Sequence, residues 1–134
     1  MPELGRGDAA MDLAPRRFAD TVVLRPAGRI NHTGSDELKA ALEPFLASCA
    51  AGQDQIVLDL SALEYISSAG LRVLMLARKR TKAQGGTLVV AGLVSVVKEI
   101  FEISKFTMVF EVFPGVREAL ARISPTALAA LEAG

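Results

Sequence analysis

The feature that most constrains the fold of this sequence is a regular alternation of short apolar runs with amphipathic segments. Three runs are rich in β-branched residues and stay apolar over consecutive positions: TVVLRPA at 21–27, QIVLDL at 55–60 and TLVVA at 87–91. Continuous apolar character is typical of strands that are buried on both faces, as in a parallel sheet. Strands that alternate with helices at short spacing predict an α/β fold with a largely parallel sheet.

The segment after the first run follows helical spacing. Its apolar residues recur at i, i+3, i+4, i+7 and i+8, at Leu38, Ala41, Leu42, Phe45 and Leu46. Pro44 lies inside this pattern, and we expect a kink or a break there because proline removes one backbone hydrogen bond.

The rest of the chain continues the alternation. Residues 61–66 are expected to form a loop, and a helix is predicted over 68–84, with Arg72 on its exposed face. We expect residues 16–19 to pair with the first run across a turn at Asp20. A helix from Ser95, a last strand over 108–113 and a closing helix complete the prediction, with inward residues Val97, Ile100, Phe101, Val116, Leu120 and Ile123.

The length of 134 residues fits one domain. We divide the chain into a flexible lead-in over residues 1–15, a folded domain over 16–123, and an alanine-rich tail over 124–134 that is expected to be a frayed helix. The sequence leaves both a monomer and a dimer open.

Composition excludes several classes of function. Fifteen basic and fifteen acidic residues cancel, so the charge expected of a general nucleic-acid binder is missing. One cysteine, Cys49, and one histidine, His32, give no cluster able to hold a metal. No signal peptide or membrane-spanning run is recognisable, and we expect a cytoplasmic protein without a cofactor.

Two adjacent serines, Ser67 and Ser68, stand where a buried strand and its loop give way to the long predicted helix. The simpler interpretation is that Ser67 caps the helix and Ser68 is a solvated neighbour. The functional interpretation uses the same position, because a helix start favours a phosphate through its exposed N–H groups and its dipole. Arg72 lies at i+4 from Ser68, within reach of such a phosphate.

The segment resembles the signature of STAS domains, the family of bacterial anti-sigma factor antagonists. Their D-S-S-G-L or D-S-T-G-L sequence opens a helix after a buried strand, and here it stands as Ser67-Ser68-Ala69-Gly70-Leu71. Three further segments are similar to the family in the same order: GRIN at 28–31, GGTL at 85–88 and VKEIFEISKF at 97–106. Two departures stand out: Ser67 and Asn31 replace aspartates that are common in the family.

The resemblance implies a mixed sheet with helices packed mainly on one face. It also implies a switch in which a kinase-type anti-sigma factor, using ATP, phosphorylates Ser68, and a phosphatase resets the cycle. The unphosphorylated antagonist binds that anti-sigma factor and thereby frees a sigma factor. By position in the signature, Asn31, Ser67, Gly70 and Arg72 would border the partner surface around Ser68.

Two other functions were weighed. A serine hydrolase would need a G-x-S-x-G elbow, which the sequence around Ser68 lacks, and His32 is the only candidate base. No phosphate-binding glycine loop is present either, so nucleotide would enter through the partner and the chain itself is not expected to be an enzyme. The second alternative is a STAS scaffold or transporter-associated subunit that is never phosphorylated. In either case, apolar residues over 96–106 that prove exposed would suit a partner helix.

Overall fold

The structure, a computed structural model, describes residues 11–134. Its strands are Arg16–Phe18 (β1), Thr21–Leu24 (β2), Gly28–Ile30 (β3), Gln55–Asp59 (β4), Leu63–Ile66 (β5), Leu88–Ala91 (β6) and Val112–Phe113 (β7). Its α-helices are Gly34–Ala47 (α1), Ser68–Ala83 (α2), Ser95–Ile103 (α3), Val116–Ile123 (α4) and Pro125–Ala133 (α5), and Phe106–Met108 forms a 3₁₀ turn.

Five strands form one mixed sheet in the order β1-β2-β4-β6-β7. The β1–β2 hairpin is antiparallel, as the sequence predicts for the turn at Asp20, and the other three pairings are parallel. The predicted fold class, a mixed and largely parallel sheet in an α/β fold, is therefore confirmed.

The central strand β4 is buried on both sides, which explains its unbroken apolar sequence. Ile56 and Leu58 belong to one core with α1, α2 and α3, whereas Val57 belongs to a second core with α4 and α5. Three of the five α-helices in residues 11–134 thus share one face of the sheet. Alternation of side chains along each strand divides the apolar residues between the two cores.

Parts of residues 11–15 and 124–134 are more tightly packed than the sequence indicates. Residues 1–10 of the expected lead-in lie outside the described residues. The prediction is wrong for residues 11–15, because Leu13 is buried in the first core and its carbonyl accepts a hydrogen bond from the Arg25 N–H at 2.6 Å.

The expected frayed tail is also wrong, since α5 packs on the sheet through the fully buried Ala127. Ser124 starts this helix: its hydroxyl oxygen accepts from the Ala127 N–H at 3.1 Å and its hydroxyl donates to Asp20 Oδ1 at 2.6 Å. Small alanine side chains let α5 lie close to the strands, and the Asp20 contact ties it to the hairpin turn.

Pro44 does not break α1, which continues from Gly34 to Ala47. The buried side chains Leu38, Leu42 and Leu46 hold one face of this helix on the sheet. Pro44 itself is exposed, and its missing N–H costs one backbone hydrogen bond that the packing of the apolar face offsets.

The expected loop over 61–66 contains strand β5, which pairs in parallel with β3 in a separate two-stranded sheet. Only Leu63 and Ile66 of this strand are buried. Such a short pattern does not distinguish a strand from a loop in the sequence, and the pairing partner decides the conformation.

We predict that Ser124→Ala lowers the free energy of unfolding by about 1–3 kcal/mol, because it removes both a helix cap and a hydrogen bond to a carboxylate. Urea unfolding at pH 7 measures this loss. The matched control is Thr126→Ala, an exposed position on the same helix, which should change stability little. Equal effects of the two substitutions would contradict the assigned role of Ser124.

The same variant should alter the acid sensitivity of the fold. The hydrogen bond from Ser124 is the largest cause that lowers the pKa of Asp20. A carboxyl group with a lowered pKa stabilises the fold above its unfolded pKa of about 3.9, and this stabilisation is lost as the pH falls through the folded pKa. Between pH 7 and pH 2, the free energy of unfolding should therefore decrease less for Ser124→Ala than for the unmodified protein. Urea unfolding at several pH values measures this difference.

Candidate functional site

The β3–β5 pair positions the two segments that the sequence singles out. Its strands are parallel, with Ile30 opposite Ile66, so the residues that follow each strand emerge at the same edge. Asn31 follows β3 and Ser67 follows β5, and the Ser67 N–H donates to the Ile30 carbonyl at 2.8 Å. The segments of residues 31–33 and 67–68, far apart in sequence, therefore lie side by side.

The two serines have different surroundings. Ser67 is the N-cap of α2, with extended backbone, and its hydroxyl oxygen accepts from the Gly70 N–H at 3.2 Å. Ser68 is the first residue of the helix and is exposed. Within residues 11–134 its hydroxyl has no hydrogen-bond partner. The capping interpretation of Ser67 is confirmed, and Ser68 is left accessible for chemistry.

Asn31 is exposed and fixes the start of α1. Its side-chain oxygen accepts from the Gly34 N–H at 2.8 Å. A neutral amide thus satisfies a helix-start N–H without placing a negative charge at this edge of the sheet.

Ser68 lies in an open depression of about 550 Å³ that three different segments share. The polar lining consists of His32, Ser68, Arg72 and Ser104, and the apolar lining of Ala69, Leu71, Met75 and Phe106. His32 is brought close to Ser68, as strands ending at one edge of a sheet predict. No carboxylate from the described part of the chain lines the depression, so nothing there would orient His32 as the base of a hydrolase.

Arg72 is exposed, as predicted, one helical turn beyond Ser68. Its guanidinium forms no ion pair within the described residues, and the first turn of α2 carries no acidic residue. The electrostatic character of this helix start is therefore set by the dipole and by Arg72, which both favour an anion.

Gly70 is buried beneath the site instead of bordering it. A Cβ atom at this position would lie 2.6 Å from Cγ1 of Ile66 and 3.1 Å from Cγ2 of Ile30. The glycine of the signature thus allows α2 to start directly above the β3–β5 pair.

Ser104 and Phe106 also line the depression, although the sequence does not predict that they lie near Ser68. Ser104 ends α3, and the chain then turns at Lys105, whose φ of 63° is left-handed, before Phe106 enters the first core. A turn of this kind has no strong sequence signal at a lysine, so the approach of this segment to Ser68 follows only from the structure.

None of the helices in residues 11–134 is both long and apolar enough to span a membrane. The same part of the chain contains no group of three histidine, cysteine or acidic side chains that could bind a metal ion.

Comparison with known proteins decides the family. Residues 13–119 match the STAS domain family. The chain belongs to the STAS family. A protein of Bordetella bronchiseptica named "Putative anti-sigma factor antagonist BtrV" is 43% identical to this STAS domain over 101 residues, which are 75% of this chain and 84% of the relative.

Two solved structures share the fold of this STAS domain. An anti-sigma factor antagonist from Mycobacterium paratuberculosis superimposes with a TM-score of 0.72 at 19% identity, covering 81% of this chain and 90% of the other. The Bacillus cell fate determinant SpoIIAA in its phosphorylated form gives a TM-score of 0.61 at 16% identity, covering 81% of this chain and 96% of the other.

The close packing at Gly70 yields a stability prediction. Gly70→Ala should lower the free energy of unfolding by about 1–3 kcal/mol, because the new methyl group overlaps Ile66. Gly34→Ala is the matched control: it also lies in the first turn of a helix, but its Cβ would meet the nearest atom, Asn31 Oδ1, at an ordinary 3.5 Å. Thermal unfolding of both variants tests this account, and a Gly70→Ala variant as stable as Gly34→Ala would refute it.

Proposed function

We propose that this STAS domain is an anti-sigma factor antagonist whose binding to a kinase-type anti-sigma factor ends when Ser68 is phosphorylated. The observation that carries the proposal is that the two adjacent serines have different structural roles. Ser67 holds the helix cap through the Gly70 N–H, whereas the exposed Ser68 hydroxyl forms no hydrogen bond to any of residues 11–134. Ser68 can therefore be modified without loss of a hydrogen bond that stabilises the fold.

The charge of the site supports the same proposal. A phosphate would add about −1.5 to −2 charges at pH 7. At Ser68 it would face the positive end of α2, in a first turn without acidic residues. Such a charge is tolerated by the domain itself and would disrupt a partner surface that had packed against a neutral serine.

The relatives agree with this function. The Bordetella protein, 43% identical over 101 residues, is named as an anti-sigma factor antagonist. The fold is also that of a Bacillus protein whose structure was solved in a phosphorylated form. By analogy, the partner kinase would supply ATP, and a separate phosphatase would remove the phosphate.

The partner surface would be centred on Ser68 and bordered by Asn31, Ser67 and Arg72. Asn31, Ser68 and Arg72 are exposed on the same edge of the domain, and Ser67 is half-buried between them. The surface carries one cation and no carboxylate among these four residues. An interface of this kind would be strongly changed by a single added dianion.

A STAS scaffold or transporter-associated subunit without phosphorylation is the second candidate. It is favoured by Ser67 and Asn31, which replace the aspartates common in the family and leave the site without their negative charges. Under this candidate, the exposed Ser68 would contribute to a constant interface and would never be modified.

Substitutions at Ser68 distinguish the two candidates. Against each kinase-type anti-sigma factor of the host, Ser68→Ala should bind as the unmodified chain does, and Ser68→Asp should bind at least about tenfold more weakly, a difference of about 1.4 kcal/mol. Titration calorimetry with each variant measures both affinities.

Ser67→Ala is the matched control for the identity of the acceptor serine. It removes the cap of α2 and should lower stability by about 1 kcal/mol, yet it keeps the acceptor hydroxyl and should still take up one phosphate from ATP and the kinase. Equal affinities of Ser68→Ala and Ser68→Asp would reject the switch and favour the scaffold.

A further inference from the structure

The depression beside Ser68 holds one titratable and one cationic side chain that come from different elements. Arg72 belongs to α2, His32 belongs to the loop between β3 and α1, and the third segment contributes the neutral Ser104 and Phe106. We propose that His32, together with Arg72, binds the phosphate group of phosphorylated Ser68. The proposal rests on the proposed function and assigns a role to His32, which that function does not use.

Hydrogen bonds tie the backbone of His32 to the start of α1. The Ser35 hydroxyl donates to the His32 carbonyl at 2.6 Å, and Ser35 is itself buried. Asn31, directly before it, is fixed by the hydrogen bond from the Gly34 N–H. These contacts pin both sides of the histidine to the start of α1, while its side chain lines the cavity that contains Ser68.

The lining of the depression suits a phosphate more than any other group that Ser68 could carry. A phosphate monoester offers three acceptor oxygens. The first turn of α2 presents backbone N–H groups, Arg72 presents its guanidinium one turn away, and an imidazole N–H and the Ser104 hydroxyl complete a set made only of donors. Among residues 11–134, no acidic side chain lines the depression to oppose the charge.

Hydrogen-bond donors from two different elements would bind the phosphate at the position where it is attached. The phosphate would be bound within the domain by α2 and by the β3–α1 loop, and no rearrangement of the fold is needed. Binding would also draw His32 and Arg72 toward the phosphate, so both side chains would be removed from the surface that a partner contacts. The modified and unmodified forms would thus differ in three side chains instead of one.

The test places phosphoserine at position 68 during translation, so that it does not depend on a kinase. The ³¹P signal of the full chain is followed against pH by NMR. An exposed phosphoserine has a second pKa of about 6, and bound donors favour the dianion, so the pKa at position 68 should lie below that value. Arg72→Gln should raise this pKa by about 0.2–0.4, as expected for a charge pair one helical turn apart. His32→Gln should raise it as well, because it removes an imidazole donor from the dianion.

Lys79→Gln is the control, because Lys79 is an exposed cation on α2 that does not line the depression. It should leave the ³¹P titration unchanged. Since the chain contains a single histidine, the ring proton signals of His32 can also be read directly, and they should shift between the serine and the phosphoserine forms.

The role of His32 would be overturned if His32→Gln gave the same phosphate pKa as Lys79→Gln and if the ring signals of His32 did not shift between the serine and the phosphoserine forms. This holds even if Arg72→Gln had an effect. The proposed function fails separately, when no kinase-type partner modifies Ser68. The two failures are distinguishable because the encoded phosphoserine bypasses the kinase.

Discussion

The parallel pairing of β3 with β5 is the constraint on which the site depends. One hydrogen bond, from the Ser67 N–H to the Ile30 carbonyl at 2.8 Å, extends this ladder to the first residue before α2. It places the start of that helix beside the loop that carries Asn31 and His32. Gly70 then lets the helix lie close to Ile30 and Ile66. Geometry within these few residues sets both the exposure of Ser68 and the donors around it.

The larger sheet supports this arrangement from below. Its central strand has Ile56, Val57 and Leu58 fully buried, with neighbouring positions in opposite cores. Helices on both faces fix the strands, and the α5 helix is tied to the hairpin turn through Ser124 and Asp20. The site therefore stands on a sheet that is packed on both faces, which suits the proposed switch because that switch acts by a change of charge and not by refolding.

The sequence predicts the elements that carry strong periodicity and misses those that tertiary contacts create. The apolar run over β4 and the helical spacing around Leu71 and Leu74 identify their structures correctly, because the middle of β4 is buried on both faces and α2 is buried along one face. Strand β5 is missed because two buried residues in four give no clear period. The continuation of α1 through Pro44 and the packing of α5 depend on contacts with residues that are distant in the sequence. No local sequence pattern records such contacts.

The site likewise combines features that local sequence patterns predict with features that only tertiary contacts create. The helix cap at Ser67 and the exposed position of Arg72 follow from local sequence rules. The proximity of His32 to Ser68, in contrast, depends on the pairing of β3 with β5. Ser104 and Phe106 reach the depression through a left-handed turn at Lys105 that its residue type does not signal. Gly70 matches the family signature by position, but only the structure gives its physical reason.

The most direct test of the account is the intact mass of the chain, with site mapping, after incubation with ATP and the kinase-type anti-sigma factors of the host. The account predicts a single added phosphate, located on Ser68 and absent from Ser68→Ala. A phosphate mapped to Ser67 or to another position, or no phosphate with any of these kinases, would contradict it.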